Sequence, residues 1–322
     1  MNARAELIER VALRRRDQLG PLSDGAYQEL LDDVKADVER FVETPSEEAM
    51  LLVCKALERH EEARKDEDLM DDDAFFSSRA KRMARLGHDC DAALALDPSC
   101  FDAALLSTLS KDLDPDRAIR PLLELEHRAV DALAQGVLPS DAWNDLTLRP
   151  LLRIKAAVAR TCLDSSRYRM AAEKAEEAIA LSSSDVVGVR HTCALAYARL
   201  EDENAFDALD VRFSRQGSTW EHLARTILLY KLGRMSAARR ALRGFSRLCE
   251  GGAYALIKPV MVDTYLPDRP DAPVLSFAEA TLAVHEADPI ICDVPDFVAW
   301  AQGQRDTFFA AQDFARRNGY DW

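Results

Sequence analysis

The fold is indicated by residues 151–181, which read LLRIKAAVARTCLDSSRYRMAAEKAEEAIAL. Small and apolar residues recur there in steps of three and four on both sides of a turn at Ser166-Arg167-Tyr168, and such steps place side chains on one face of an α-helix. The stretch therefore predicts two helices joined by a tight turn, which is a helical hairpin. The small or apolar positions after the turn are Ala171, Ala175, Ala178 and Ile179.

The pattern returns twice, so three weak copies of a unit of about 33–34 residues run from about Leu152 to Leu248. A single hairpin is too small to bury its own apolar face, so repeated hairpins stack into a continuous core. We therefore predict an all-α fold that is more than two thirds helical. Its predicted architecture is a right-handed solenoid of helical hairpins with an N-terminal helical extension and C-terminal capping helices. In the later copies, Asp202 is followed by Ala205, Leu209 and Phe213, and Gly233-Arg234-Met235 by Ala238, Leu242 and Phe245.

Helical periodicity and capping signals divide the rest of the chain. Thr44-Pro45-Ser46-Glu47 and Ser276-Phe277-Ala278-Glu279 are capping boxes, which start helices. Four regions are predicted: an N-terminal helical extension (1–72), divergent hairpins (73–148), the repeats (149–250) and capping helices (251–322). The predicted helices span about 3–19, 24–42, 45–65, 73–86, 91–96, 99–110, 115–135 and 254–265, besides those of the repeats and the one that starts after Ser276. One last helix or helix pair is predicted over about 295–317.

The repeats resemble the tetratricopeptide repeat, because they keep small residues where paired helices touch. A longer stretch, about 80–300, resembles the suppressor-of-tumorigenicity type of tetratricopeptide protein and its bacterial relatives. This resemblance implies helical repeats and protein interaction, and it brings no catalytic residues. Its traces are Ala93–Ala103 (ALALDPSCFDA), Trp143, Arg149–Arg153 (RPLLR) and Ser182–Arg190 (SSSDVVGVR).

The composition limits the classes of function. The chain has 322 residues, a hydrophobic content of 48% and a net charge of −14. An acidic surface repels phosphate backbones, so we expect no nucleic-acid partner. We also expect no membrane span and no secretion signal, and therefore a cytoplasmic protein. None of the seven cysteines forms a Cys-x-x-Cys pair, so we predict no metal site and no cofactor.

The charge is unevenly spread along the chain. Residues 1–150 hold 20 basic and 33 acidic side chains, residues 151–250 hold 17 and 12, and residues 251–322 hold 5 and 11. The repeats are therefore basic between acidic flanks. This pattern favours an acidic peptide partner, and a contact with the acidic flanks of the same chain explains it equally well.

The first helix of each hairpin lines the inner face in this repeat class. Arginine binds carboxylates through two parallel hydrogen bonds, and tryptophan and tyrosine offer rigid contact area. We therefore predict a non-enzymatic scaffold that binds a peptide or protein segment in a basic, aromatic groove. The alternative is that these aromatic side chains pack within the chain and the arginines pair with its own glutamates. The candidate residues are Arg153, Arg160, Arg190, Tyr197, Trp220, Tyr230 and Lys231.

A second hypothesis is an enzyme or a ligand-binding regulator, with a site between the N-terminal helices and the repeats. The residues to inspect are His88, Asp89, Asp91 and Trp143. No phosphate-binding loop, dinucleotide fingerprint, nucleophile elbow or His-Glu-x-x-His pair occurs in the sequence. The chain therefore offers no motif for a catalytic residue.

One further pattern is a row of arginines. Arg239, Arg243 and Arg247 recur at every fourth residue, with Arg240 beside them. They lie on the second helix of a hairpin, which faces outward in this repeat class. We expect a solvated face there, with a partner site as the alternative.

Overall fold

The computed structural model describes residues 2–65, 67, 70–260, 262–263 and 265–322. Helices account for 74% of these residues, and no strand occurs among them. The predictions of an all-α fold and of a helical content above two thirds are therefore confirmed.

Seventeen α-helices are described, together with a short 3-10 helix at Ala142–Asn144. Their bounds are α1 Ala3–Leu19, α2 Asp24–Ala36, α3 Val38–Phe41, α4 Pro45–Lys65, α5 Asp72–Leu96, α6 Phe101–Leu109, α7 Pro115–Leu133, α8 Arg149–Asp164, α9 Tyr168–Leu181, α10 Val189–Leu200, α11 Glu203–Arg212, α12 Thr219–Lys231, α13 Met235–Leu248, α14 Gly252–Ile257, α15 Phe277–Ile291, α16 Asp296–Gln302 and α17 Arg305–Asn318.

The chain forms two compact units. The first comprises residues 1–154 and 266–268, and the second comprises residues 155–265 and 269–322. In the first unit, α4 packs on α5 and α1, and α5 packs on α6. Its core includes Val34 and Val38, with Leu30 and Phe41 partly buried against it. The N-terminal extension therefore contributes a continuous part of this unit's core.

The second unit holds residues 155–250 of the predicted repeats. Helix α10 packs on α9, α11 and α12, and α12 packs on α13. Small residues such as Ala171, Ala178 and Ala238 are fully or almost fully buried, which lets neighbouring helices approach closely. Helix α15 lies against α10, α12 and α14, and α17 lies against α13 and α14.

The first predicted capping box is present at the start of α4. Thr44 Oγ1 accepts a hydrogen bond from the Glu47 N–H at 3.2 Å, and Glu47 Oε2 accepts from the Thr44 N–H at 3.3 Å. Two backbone donors that lack a partner within the helix are thereby satisfied. The predicted helix from this box to Lys65 is confirmed.

Two predicted boundaries between helices are wrong. The helix predicted over 24–42 is broken at Asp37, where φ is −153° and ψ is 76°, which yields α2 and α3. Residues 73–86 and 91–96 belong to one continuous helix, α5. Gly87 lies inside this helix and does not end it. A Cβ atom at position 87 would lie 2.7 Å from Ser110 Oγ, so the glycine provides space for Ser110.

The helix predicted over 254–265 is wrong beyond Ile257, where α14 ends. Pro259 explains the end, because proline lacks an N–H and disfavours helical geometry in the residue before it. Lys258 accordingly has φ −124° and ψ 76°. Met261 and Thr264, which also fell in the predicted helix, lie outside the described residues.

Residues 66–73 form an acidic run, DEDLMDDD, and such a composition by itself predicts a solvated linker or the start of a helix. Asp66, Asp68 and Leu69 lie outside the described residues. Glu67 is buried against Arg82, with Oε2 2.7 Å from Nη2, and Asp71 caps α5 through the Ala74 N–H. The run therefore includes one buried charged residue and one helix cap.

Gly251 provides a test of packing in the second unit. Its φ is +65°, and a Cβ atom there would lie 2.6 Å from Phe314 Cζ and would also overlap the Phe277 ring. We expect Gly251→Ala to lower the free energy of unfolding by roughly 2–4 kcal/mol, from overpacking plus a left-handed backbone. Urea denaturation measures this change.

The control is Gly233→Ala, because Gly233 has φ +69° and no atom within 4 Å of the added Cβ. Only the backbone cost of about 1–2 kcal/mol applies there. Equal losses in the two variants would contradict the predicted steric overlap at Gly251.

Candidate functional site

The candidate site is built around helix α15. Ser276 caps this helix by accepting from the Glu279 N–H at 3.2 Å. The predicted capping box is completed differently, because the Glu279 carboxylate accepts from the Leu275 N–H at 2.7 Å. Nine of the 15 residues of α15 are buried, and Glu286 has no exposed surface at all. A buried carboxylate requires partners, since desolvation strongly disfavours an unpaired charge.

Four side chains surround the Glu286 carboxylate. Trp220 Nε1 donates to Oε2 at 2.7 Å, and Arg269 Nε donates to Oε1 at 2.9 Å. Tyr265 Oη also donates to Oε1, and Arg160 Nη1 lies 3.2 Å from Oε2. Burial by itself raises the pKa of Glu286, but the attraction of the two arginines and the hydrogen bonds from Arg269 and Tyr265 outweigh it and lower the pKa to about 2. The carboxylate is therefore ionised at neutral pH.

Arg269 connects this carboxylate to the turn before α10. Its Nη1 donates to the carbonyl oxygens of Gly188 at 2.7 Å and Val187 at 3.1 Å, and its Nη2 donates to Thr192 Oγ1 at 2.9 Å. Gly188 has φ +70°, a backbone conformation that glycine adopts readily. One guanidinium thus fixes both a helix start and the glutamate of another helix.

Two of the seven predicted groove residues meet at Glu286. Arg160 comes from α8 and Trp220 from α12, and both contact the same carboxylate. Trp220 is buried, and its ring stacks on His191 with centroids 4.3 Å apart. The occupant of the predicted arginine and tryptophan positions is therefore the chain's own α15.

Four other predicted groove residues in this unit contact different parts of the chain. None of them reaches the Glu286 carboxylate with a described hydrogen bond or ion pair. Their contacts are Arg190 with Glu221 (3.5 Å) and with the Phe213 ring (5.1 Å), Tyr197 with Glu176 (3.0 Å), Tyr230 with the rings of Phe297 and Trp300, and Lys231 with Glu201 (3.1 Å).

Arg153, the seventh predicted residue, belongs to the first unit. It is buried there between two carboxylates: Nη2 meets Glu6 Oε2 at 2.5 Å, and Nη1 meets Asp102 Oδ1 at 2.9 Å. The Trp143 ring lies beside it, 5.6 Å from the guanidinium carbon. Arg153 does not share a site with Arg160 and Trp220, and a peptide-binding role for these residues stays a prediction.

Sequence reasoning did not identify Glu286, Arg269 or Tyr265. The one local signal for Glu286 is its position in a largely apolar helix, which reads FAEATLAVHEADPII and also holds Glu279, His285 and Asp288. Arg269 stands between prolines in a connector, where no periodicity marks a buried side chain. A charged residue on the apolar side of a helix indicates a buried partner, although it does not identify that partner.

The residues named for an enzymatic site do not converge. His88 is exposed, Asp89 pairs with Arg59 at 2.6 Å, and Asp91 accepts from Ser107 at 2.8 Å. Trp143 instead lies beside Arg149, 4.9 Å from its guanidinium carbon. Among the described residues no group of three histidine, cysteine or acidic side chains is arranged to hold a metal ion. The enzymatic hypothesis stays a prediction with no arrangement of these four residues to support it.

Ser218, His191 and Glu221 form a cluster of the residue types found in hydrolases. Ser218 Oγ and Glu221 Oε1 both approach His191 Nδ1 at 3.3 Å. In a catalytic triad, the hydroxyl and the carboxylate bind opposite ring nitrogens. Ser218 and Glu221 also form the capping box of α12. The cluster therefore serves to start this helix.

Comparisons with protein-family models, with curated proteins and with solved structures gave no match for this chain. In the part of the chain that the structure describes, no helix combines the length and the apolar character needed to span a membrane.

Proposed function

We propose that this chain is a non-enzymatic interaction scaffold of tetratricopeptide-type hairpins in a solenoid, whose inner helix faces bind an amphipathic helix that carries a carboxylate. The observation that carries the proposal is the coordination of Glu286 by Arg160 and Trp220 from the first helices of two hairpins. The chain's own α15 supplies this carboxylate. The cytoplasmic location and an acidic partner segment belong to the same proposal.

The chemistry of the face defines what it binds. Helix α15 presents apolar residues such as Leu282, Ala283 and Ile290 on the same side as Glu286. An amphipathic helix laid into an apolar groove is a common mode of peptide recognition. Since the arginine and the indole N–H both aim at one carboxylate, a partner helix needs apolar side chains and one suitably placed glutamate.

The resident helix has an advantage over any partner. An intramolecular segment acts at an effective concentration in the millimolar range for short flexible connections. A partner helix must therefore bind tightly, or it must bind a chain in which α15 is held less firmly by Arg160 and Trp220. Because α15 competes with any partner, we expect the wild-type chain to bind free helices weakly. We expect the variant Glu286→Gln to bind them more tightly, because its α15 competes less.

The test uses a labelled peptide of residues 274–294 and the full-length chain. We expect the peptide to bind the chain that carries Glu286→Gln at least about tenfold more tightly than the wild-type chain, because the resident helix then competes less. A peptide with the same substitution should bind that chain more weakly, since it lacks the carboxylate. Fluorescence anisotropy measures both affinities, and circular dichroism establishes that each chain is folded.

A chain with Glu203→Gln is the matched control, because Glu203 pairs with Arg234 at the surface and lies outside the site. It should bind the peptide as the wild type does. If the folded Glu286→Gln chain binds no peptide, then α15 is simply part of the core and the proposed binding face is wrong.

A further inference from the structure

Helix α13 presents an arginine face to solvent. Arg239, Arg243 and Arg247 are exposed at every fourth residue, with Arg240 also exposed beside them, while Ala238, Leu242 and Phe245 on the other side are buried. Only Arg243 has a described ion pair, with Asp306 at 2.9 Å, and both of these side chains are about half exposed. Over the residues that the structure describes, the other three arginines of this face have no carboxylate within 4 Å.

Only some exposed arginines of the same unit lie next to a carboxylate, as Arg212 does with Glu176 at 3.1 Å and Arg234 with Glu203 at 2.5 Å. On α13, Arg243 and three arginines without a described ion pair stand together on one helix face. Like charges one turn apart on a helix repel each other. Such a row is complementary to an external anion.

The same chain carries an acidic row with the same spacing. Glu29, Asp33 and Asp37, on α2 and at its C-terminal end, are exposed at every fourth residue, with Asp32 beside them. Val34 occupies the buried side of α2. These four carboxylates have no ion pair within the described parts of the chain. Each row extends over about 12 Å along its helix, at a rise of 1.5 Å per residue.

We propose that the α13 arginine face docks on the α2 acidic row of a second copy of this chain. The rows are opposite in sign and similar in spacing and in length, so each guanidinium can meet a carboxylate of the facing row. Both rows are exposed in the single chain, so each is free for a second molecule. Every copy carries both rows, so the arginine face of one copy can meet the acidic row of another.

A protein partner fits this face better than a nucleic acid. Glu250 and Asp313 line a cavity of about 320 Å³ together with Arg247 at the end of the row. These carboxylates, and the net charge of −14, repel a continuous phosphate backbone. A helix with discrete acidic side chains avoids this repulsion, because it places its charges only opposite the arginines.

Association of this kind depends on salt in a defined way. The net charge repels two copies at long range, and this repulsion is screened at about 0.1 M ionic strength, where the Debye length is about 10 Å. Contacts between facing side chains persist at that ionic strength and weaken when the Debye length falls to about 3 Å at 1 M. We therefore expect the dissociation constant to rise at least about tenfold between these two conditions.

Sedimentation equilibrium of the full-length chain and three variants tests the proposal. We expect Arg239→Glu/Arg243→Glu/Arg247→Glu, and separately Glu29→Arg/Asp33→Arg/Asp37→Arg, to weaken self-association at least about tenfold at 0.1 M salt. The chain with all six substitutions has the wild-type net charge and restores opposite charges across the contact. It should associate within about threefold of the wild type.

The matched control is Arg117→Glu/Arg120→Glu/Arg316→Glu, which changes the net charge equally at three exposed positions on other helices. It should associate as the wild type does. A wild type that stays monomeric up to about 1 mM, or a six-substituted chain that is folded and remains monomeric, would overturn the proposal. A monomeric wild type that binds an added glutamate-rich helical peptide would assign the face to an acidic partner protein instead.

Discussion

Glutamine in place of Glu286 is expected to lower the free energy of unfolding by about 3–5 kcal/mol at pH 7. The substitution keeps the size of the side chain but leaves Arg160 and Arg269 buried without their shared carboxylate. The cost comes mainly from Arg269, which loses its only described carboxylate, whereas Arg160 keeps an ion pair with Asp164 at 3.0 Å. This cost exceeds that of a lone hydrogen bond, which is worth only about 1 kcal/mol. Urea denaturation followed by circular dichroism measures the change.

Lowering the pH should reduce the difference in the free energy of unfolding between the Glu286→Gln variant and the wild type. The folded-state pKa of Glu286 is about 2, below its ordinary value of 4.5, so the carboxylate contributes stability above pH 4.5 that is lost as the pH falls through about 2. Glu203→Gln at the surface is the control, with an expected loss below about 1 kcal/mol. A loss of similar size in both variants would mean that Glu286 does not hold α15 in place.

Alanine in place of Arg153 is expected to lower the free energy of unfolding of the first unit by about 3–5 kcal/mol. Glu6 and Asp102 are almost fully buried, and both lose their main counter-charge in the variant. Chemical denaturation at pH 7 measures the loss. The control is Arg4→Ala, because Arg4 and its partner Glu58 are largely exposed, and exposed pairs contribute about 0–1 kcal/mol.

The pH dependence distinguishes this explanation from a simple loss of packing. Burial already raises the pKa of Asp102, whereas in Glu6 the effect of burial is outweighed by Arg153 and Arg10, which lower the pKa. Without Arg153, burial raises the folded-state pKa of Asp102 further above its unfolded value, whereas Glu6 keeps its ion pair with Arg10 at 2.6 Å. A buried carboxyl group of this kind is most favourable when protonated, so the variant recovers stability relative to the wild type as the pH falls from about 7 to 5. A difference that stays constant over this range would contradict the electrostatic explanation.

Helix starts were predicted well because their causes are local. The Thr44 box and Ser276 cap act on backbone groups within three residues, so the sequence alone carries the signal. The end of α14 also has a local cause, which is Pro259. The prediction missed it, because apolar residues continue with helical spacing beyond the proline. The continuity of α5 at Gly87 was not local, because the reason for that glycine is the approach of Ser110 from another helix.

The candidate site was only half predictable. Helical periodicity together with the resemblance to tetratricopeptide repeats predicted Arg160 and Trp220 as groove residues. Their partner, Glu286, comes from a helix far along the chain, and so does Arg269. The spacing of residues along one helix predicts neither that Glu286 is the partner nor that it is completely buried, because both depend on how α15 packs.

The sequence by itself determined that this protein is all-helical, where most helices begin, and which arginines and aromatic residues share a helix face. These features follow from hydrogen bonds and periodicity within a few residues. Only the tertiary structure decided that Glu286 contacts Arg160 and Trp220 and that Arg153 is buried in the other unit. It also decided that, among the described residues, Arg243 is the only arginine of the α13 face with a carboxylate within 4 Å. The physical reason is that burial and charge pairing depend on contacts between distant segments, which form together when the helices pack.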